Sequence, residues 1–144
     1  MKTIIFDIDG VLANNEDFKD WFDEKGNFDT EAFGDKVMEF SVLEWGKALL
    51  QSLQQEYNIV ISTGRHERYK DETVEWLADN DIEYDEIHFR TSKNNTETHK
   101  IEVAAKYDVL MIIDDCPSVV KVCREAGYTV LQPNHFYGDD NDMS

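Results

Sequence analysis

Sulfur is scarce in this chain of 144 residues: two cysteines, Cys116 and Cys123, stand seven positions apart in a region that reads as loop and helix. That is too sparse for a disulfide framework or a zinc site, so both are expected to be buried, reduced thiols. Long apolar runs are absent too, since no stretch approaches the ~18 residues that a membrane span requires. Met1 and Lys2 lead directly into the first apolar run with no targeting segment between, so the sequence predicts a cytoplasmic protein without a membrane partner. The four histidines, His66, His88, His99 and His135, are scattered, and none has a spacing that compels a metal or triad reading.

Positive charge is the other shortage. Lys and Arg number 14 against 31 Asp and Glu, a formal net charge of -17. A field of that sign repels polyanions and predicts no extended duplex-binding surface, although a local cation can still hold one phosphate or a strand end. The substrate is therefore expected to be small or terminal. No Gly-x-x-x-x-Gly-Lys-Ser/Thr loop occurs either, which argues against ATP-dependent phosphoryl donation.

What the chain does have is a regular alternation of strand and helix patterns. Apolar runs over 3–7, 58–62, 86–89, 109–113 and 128–131 read as strands, several of them continuous enough to be buried on both faces; 109–113 is the longest unbroken run. Between them, Val37, Phe40, Leu43, Leu50 and Leu53 share one side of a single long helix, and Tyr69, Thr73, Trp76, Leu77 and Asn80 define the next. Ile101, Ala104 and Ala105, then Val119, Val120, Cys123 and Ala126, give two more faces, with Gly127 as the last stop signal. The composition of 41% apolar and 12% aromatic residues is ordinary for a globular protein. The sum is a single α/β domain over residues 1–138, with a mostly parallel five-stranded sheet covered on both sides.

Two stretches break the rhythm. Residues 13–34 are acidic and polar yet carry Phe18, Trp21, Phe22, Phe28 and Phe33, which suits a small flap whose rings either meet a substrate or pack the flap onto the domain. Residues 139–144 read as an acidic tail.

The polar signals cluster at strand ends. Asp7-Ile8-Asp9-Gly10 follows the first strand, Ser62-Thr63-Gly64-Arg65 the second, and Asp114-Asp115 the fourth. Open α/β sheets bind ligands at the carboxyl ends of strands where strand order reverses, and a central first strand would place Asp7 and Asp114 at that point. Carboxylates converging there describe a hard-cation site that suits Mg²⁺. A hydroxyl, a glycine and a guanidinium after the second strand are the inventory for holding phosphoryl oxygens.

Together these four segments resemble the motifs of the haloacid dehalogenase superfamily of aspartyl phosphatases: Asp7-Ile8-Asp9-Gly10-Val11-Leu12, Thr63 before Gly64-Arg65, Lys100, and Asp114-Asp115. The resemblance covers almost the whole chain and implies a three-layer Rossmann-like fold with only a small flap or cap insert. It implies that Asp7 is the nucleophile and forms a phosphoaspartate, and that Asp9 protonates the leaving oxygen and then activates water. It further implies that Thr63 and Lys100 bind the transferring phosphoryl group. Mg²⁺ would be held by the Asp7 and Asp114 carboxylates and the Asp9 carbonyl, with Asp115 behind them orienting Lys100 or a metal-bound water.

Within that superfamily the chain is most similar to the 3′-phosphatase domain of bacteriophage-type polynucleotide kinase. The likeness rests on Phe6 to Gly10, Thr63 to Glu67, Trp76, Arg90, Ile113 to Val120 and Cys123 to Gly127. It departs at Cys116, where those proteins usually carry Arg, and at Thr63, where they usually carry Ser. The implied substrate is a phosphorylated nucleic-acid 3′ end or nucleotide, with Gly64, Arg65 and Arg90 as substrate-binding candidates. The alternatives are a 5′(3′)-mononucleotidase and, from another class, a non-catalytic regulatory protein of the receiver type.

Overall fold

Each of the four residues of β1 (Thr3–Phe6) is buried, which is what the centre of a sheet covered on both faces demands. In the computed structural model, which describes residues 1–14 and 36–134, β1 pairs in parallel with β2 (Asn58–His66) on one side and β4 (Val109–Ile113) on the other. Beyond them lie β3 (Glu86–Arg90) and β5 (Val130–Leu131), both parallel, giving the order β3-β2-β1-β4-β5. This is the order anticipated from a central first strand. It also removes the receiver alternative, whose sheet runs 2-1-3-4-5.

Strand alternation sends side chains from β1 into two separate cores. Ile4, Phe6 and Ile8 join Leu50, Ile61, Trp76 and Leu77 in one. Ile5 joins Val60, Val103, Val119, Val120 and Cys123 in the other. Helices α1 (Glu44–Leu53) and α2 (Lys70–Asp79) contribute to the first core, and α3 (Thr96–Ala104) and α4 (Pro117–Glu125) to the second. The three layers expected from the sequence are therefore present. Gly127, at φ +99°, ends α4 as its position implied.

Three boundaries differ from the sequence reading by two residues or more, and the ends of β1 and β3 by one. Residues 37–53 do not form one long helix: a 3₁₀ turn over Val37–Glu39 is followed by extended chain at Phe40, and α1 starts only at Glu44. The break arises because this segment pairs with the loop after β1. The Asn14 amide donates to the Ser41 carbonyl at 2.9 Å, the Leu43 amide to that of Leu12 at 2.7 Å, and Ala13 bridges Val42. Second, β2 runs to His66, four residues past its expected end, and is longer than β4. Third, β5 begins at Val130 rather than Tyr128. The aromatic flap, apart from Ala13 and Asn14, and the acidic tail lie outside the described residues.

α1 comes unusually close to the loop that carries the first motif. A Cβ on Gly46 would stand 1.7 Å from the Val11 carbonyl oxygen, so only glycine permits this approach. Among the described residues, no helix is long and apolar enough to cross a membrane.

Candidate active site

Register alone brings the three outer polar motifs to one edge. Phe6 pairs with Ile61 and Ile113, so Asp7, Ser62 and Asp114 follow at the same level on three adjacent strands. Across them comes Lys100 from α3, buried like the acids it meets. Its ammonium donates to Asp7 Oδ1 at 2.9 Å, to Asp114 Oδ2 at 2.8 Å and to the Ser62 carbonyl at 2.5 Å. The Asn95 side chain caps the start of α3 by accepting from the Thr98 amide, and the first turn of that helix leads to Lys100.

Asp7, Asp114 and Asp115 each offer an oxygen within 4.8 Å of the others, and all three residues are buried. Burial pushes the Asp7 carboxyl well above the usual carboxylate range; Asp114 adds to that push and Lys100 opposes it. Burial alone would depress the Lys100 ammonium, yet Asp114 and Asp7 together hold it above its ordinary value. Three carboxylates thus converge beside one ammonium that two of them share, and the possible ligand atoms are all oxygen. Such a set fits a hard divalent cation, which would balance the excess formal negative charge.

Asp115 lies within this cluster, beside the two acids that Lys100 bridges. Its position depends on Gly10. At φ +88°, Gly10 adopts a conformation L side chains rarely take, and a Cβ there would lie 1.9 Å from Asp115 Oδ2. The Asp114 carboxylate is steadied from behind by the Cys116 amide, which donates to Oδ1 at 3.0 Å.

The groups after β2 are arranged differently. The Thr63 hydroxyl oxygen accepts from the Arg65 amide at 3.0 Å, so its own hydrogen stays available to donate. The Ser62 hydroxyl is buried with no hydrogen-bond partner among the described residues. Gly64 packs against Thr96, which would crowd a Cβ at 2.8 Å.

Arg65 does not point outward as a free phosphate contact. Its guanidinium is buried and donates to both oxygens of Asp9, at 3.0 and 2.7 Å. Arg90 is likewise engaged with the protein, donating to the Gly64 carbonyl at 2.9 Å and the Asn94 carbonyl at 3.2 Å. The Asp9 side chain is forked to Arg65, near enough to Asp7 for its charge to raise that carboxyl, and of the first motif only Asp7 belongs to the three-acid cluster. Cys116 and Cys123 are free thiols whose ionisation burial makes harder; Cys123 is buried as expected, whereas Cys116 is only half-buried, with its sulfur 3.3 Å from the Ser118 hydroxyl.

Comparison with known proteins gives the family and the fold. Residues 1–138 match the family model described as the polynucleotide kinase PNKP phosphatase domain. The fold is shared with a chain of the Pnkp1/Rnl/Hen1 RNA repair complex, at TM-score 0.76 and 23% identity over 94% of this chain and 43% of that one. It is shared too with a class C acid phosphatase from Bacillus anthracis solved with tungstate bound, at TM-score 0.70 and 16% identity, covering 99% of this chain and 70% of that one. A haloacid dehalogenase-like hydrolase from Streptococcus pneumoniae gives TM-score 0.68 and 16% identity over 99% and 89% of the two chains. The chain spans less than half the length of its repair-complex counterpart. Among curated proteins it finds no match.

Proposed function

Because the chain belongs to the polynucleotide kinase PNKP phosphatase domain family, and so has the phosphatase fold of the haloacid dehalogenase superfamily, we propose that it hydrolyses phosphomonoesters at the 3′ ends of nucleic acid or on nucleotides. The reaction proceeds through a phosphoaspartate on Asp7. The observation that carries this reading is the Lys100 ammonium set between Asp7 and Asp114 at 2.9 and 2.8 Å. It holds the nucleophile in place and presents a cation where phosphoryl oxygens must lie.

Asp7 attacks phosphorus, and the P–O bond to the alcohol breaks as Asp9 delivers a proton to the leaving oxygen. Water then attacks the acyl phosphate, giving its proton to Asp9. The Thr63 hydroxyl and the Gly64 amide donate to phosphoryl oxygens. The Asp7 and Asp114 carboxylates and the Asp9 carbonyl would hold Mg²⁺, whose charge offsets theirs and that of the incoming phosphate. Asp115, within the same cluster, orients Lys100 or a metal-bound water.

Substrate class is tested by comparing a 3′-phosphorylated oligonucleotide with 3′- and 5′-mononucleotides at equal concentration and low salt. A kcat/KM advantage of ~10-fold or more for the oligonucleotide, about 1.4 kcal/mol, is expected. Equal rates, or faster turnover of free nucleotides, would instead establish the mononucleotidase reading. That second reading draws on the net charge of -17 and on Arg65 and Arg90 being bonded within the protein.

A further inference from the structure

We infer that Arg65 and Thr73 are positioning residues that fix the Asp9 carboxylate for proton transfer to the leaving oxygen, an inference that rests on the phosphoaspartate reading above. Arg65 is 5% exposed, and its guanidinium spends its donors on two sides. Nε donates to Asp9 Oδ2 at 3.0 Å and Nη2 to Oδ1 at 2.7 Å, while Nη1 donates to the Thr73 hydroxyl oxygen on α2 at 3.0 Å. The guanidinium carbon lies 5.8 Å from the centre of the Phe40 ring. Phe40 is tied to α2 in turn, since its carbonyl accepts from Trp76 Nε1 at 2.9 Å. The fork is therefore set by three parts of the fold: the exit of β2, helix α2 and the extended chain at Phe40.

The chemistry of a fork explains why this matters. A carboxylate has about four acceptor directions, two on each oxygen. A bidentate guanidinium takes one on each, stops the group rotating, and leaves one direction per oxygen for the moving proton. An ammonium in the same place could not do this. In the first step an Asp7 oxygen forms a bond to phosphorus, the ester P–O bond breaks with its electron pair on the alcohol oxygen, and the Asp9 proton goes to that oxygen. In the second, water adds to phosphorus, the bond to Asp7 breaks with its pair on the carboxylate, and the water proton returns to Asp9. Both steps need the same Asp9 oxygen to face the reacting group, and a fixed carboxylate serves both.

Leaving-group dependence separates this role from general structural support. An alcohol leaves poorly without a proton, whereas p-nitrophenolate leaves without one. We expect Thr73→Val to lower kcat/KM, which reports only the steps up to loss of the leaving group, about 10-fold on a 3′-phosphorylated nucleotide and less than about 2-fold on p-nitrophenyl phosphate. Arg65→Lys, which keeps the charge and loses the fork, should lower the first by ~100-fold and the second only several-fold. Asp9→Asn is the reference and should show the widest gap between the two substrates.

Uniform loss on both substrates in Thr73→Val and Arg65→Lys, with the gap present in Asp9→Asn, would overturn the positioning role alone. Absence of the gap in Asp9→Asn itself would overturn the acid role of Asp9 and this inference with it. Thr73→Val is nearly isosteric, so it remains informative if the Arg65 variant does not fold.

Discussion

At the tips of β1 and β4, three buried carboxylates converge and two of them share a single ammonium, whereas at the exits of β2 and β3 the guanidinium groups of Arg65 and Arg90 find oxygen acceptors within the protein. The first region is left with formal charge that a ligand must answer, and the second is closed on itself. A cation site and an anion site were both expected at this edge, and the two differ in how they are built. The acids are placed by backbone register and carry more formal charge than Lys100 alone balances. The arginines brace Asp9 and the loop at Gly64, which is why the proposed reaction assigns phosphate recognition to Lys100, a hydroxyl and backbone amides.

The sharpest way to break this contrast is to remove the nucleophile. Asp7→Asn should cut Mg²⁺-dependent hydrolysis of an aryl phosphate by ~10³-fold or more while the protein stays folded by circular dichroism. Residual turnover within about 10-fold of the parent would mean that the acidic half does not carry the reaction.

Lys100→Met tests the charge excess itself. Without the ammonium, the buried acids face one another unpaired, and unfolding in urea at neutral pH with metal chelated should show a loss of roughly 3–5 kcal/mol. Millimolar Mg²⁺ should restore part of that loss, because binding to the folded state alone stabilises it. A variant as stable as the parent without metal would show that these carboxylates do not depend on Lys100.

Gly10→Ala probes the link between the first and last motifs. The added carbon collides with Asp115 at a φ of +88°, so we expect a loss of about 1–3 kcal/mol in stability. Weaker Mg²⁺ affinity in calorimetry should accompany it.

The smallest effect concerns His99, next to Lys100 on α3. Burial first, and Lys100 beside it, lower its imidazole from 6.5 to about 4. The folded protein keeps His99 neutral where the unfolded chain takes up a proton, so this group leaves stability untouched above pH 6.5. Its contribution falls as the pH drops from 6.5 towards 4 and is constant below. His99→Gln should flatten that part of the urea-unfolding pH profile by ~1–3 kcal/mol, and an unchanged profile would rule His99 out as its source.

Much of the fold was legible because it depends on pattern. Apolar runs at 3–7, 58–62 and 109–113 located the three central strands, and the acids at their ends could be placed by alternation and order alone. Asp7 and Asp114 meet because Phe6 pairs with Ile113, a relation that the sequence contains once the strand order is known. The break at residues 40–43 was not legible, since Phe40 and Leu43 fit a helical period, and the helix is interrupted only because Ser41 and Leu43 pair with Asn14 and Leu12. Nor was the direction of Arg65. A long side chain at a strand exit can reach either solvent or its neighbours, and its choice of Asp9 and Thr73 follows from tertiary packing. Gly10 carried a usable signal for Asp115, as an Asp-Gly step beside a second acidic pair, but the contact itself needs coordinates.

The most direct measurement is to quench turnover of a ³²P-labelled phosphomonoester in acid, digest the protein and locate the label by mass spectrometry. The label is expected on the Asp7 carboxylate, to be lost in Asp7→Asn and to build up in a variant whose Asp9 cannot activate water. Label on Asp9, Asp114 or Asp115, or steady turnover with no labelled residue, would contradict a covalent role for Asp7.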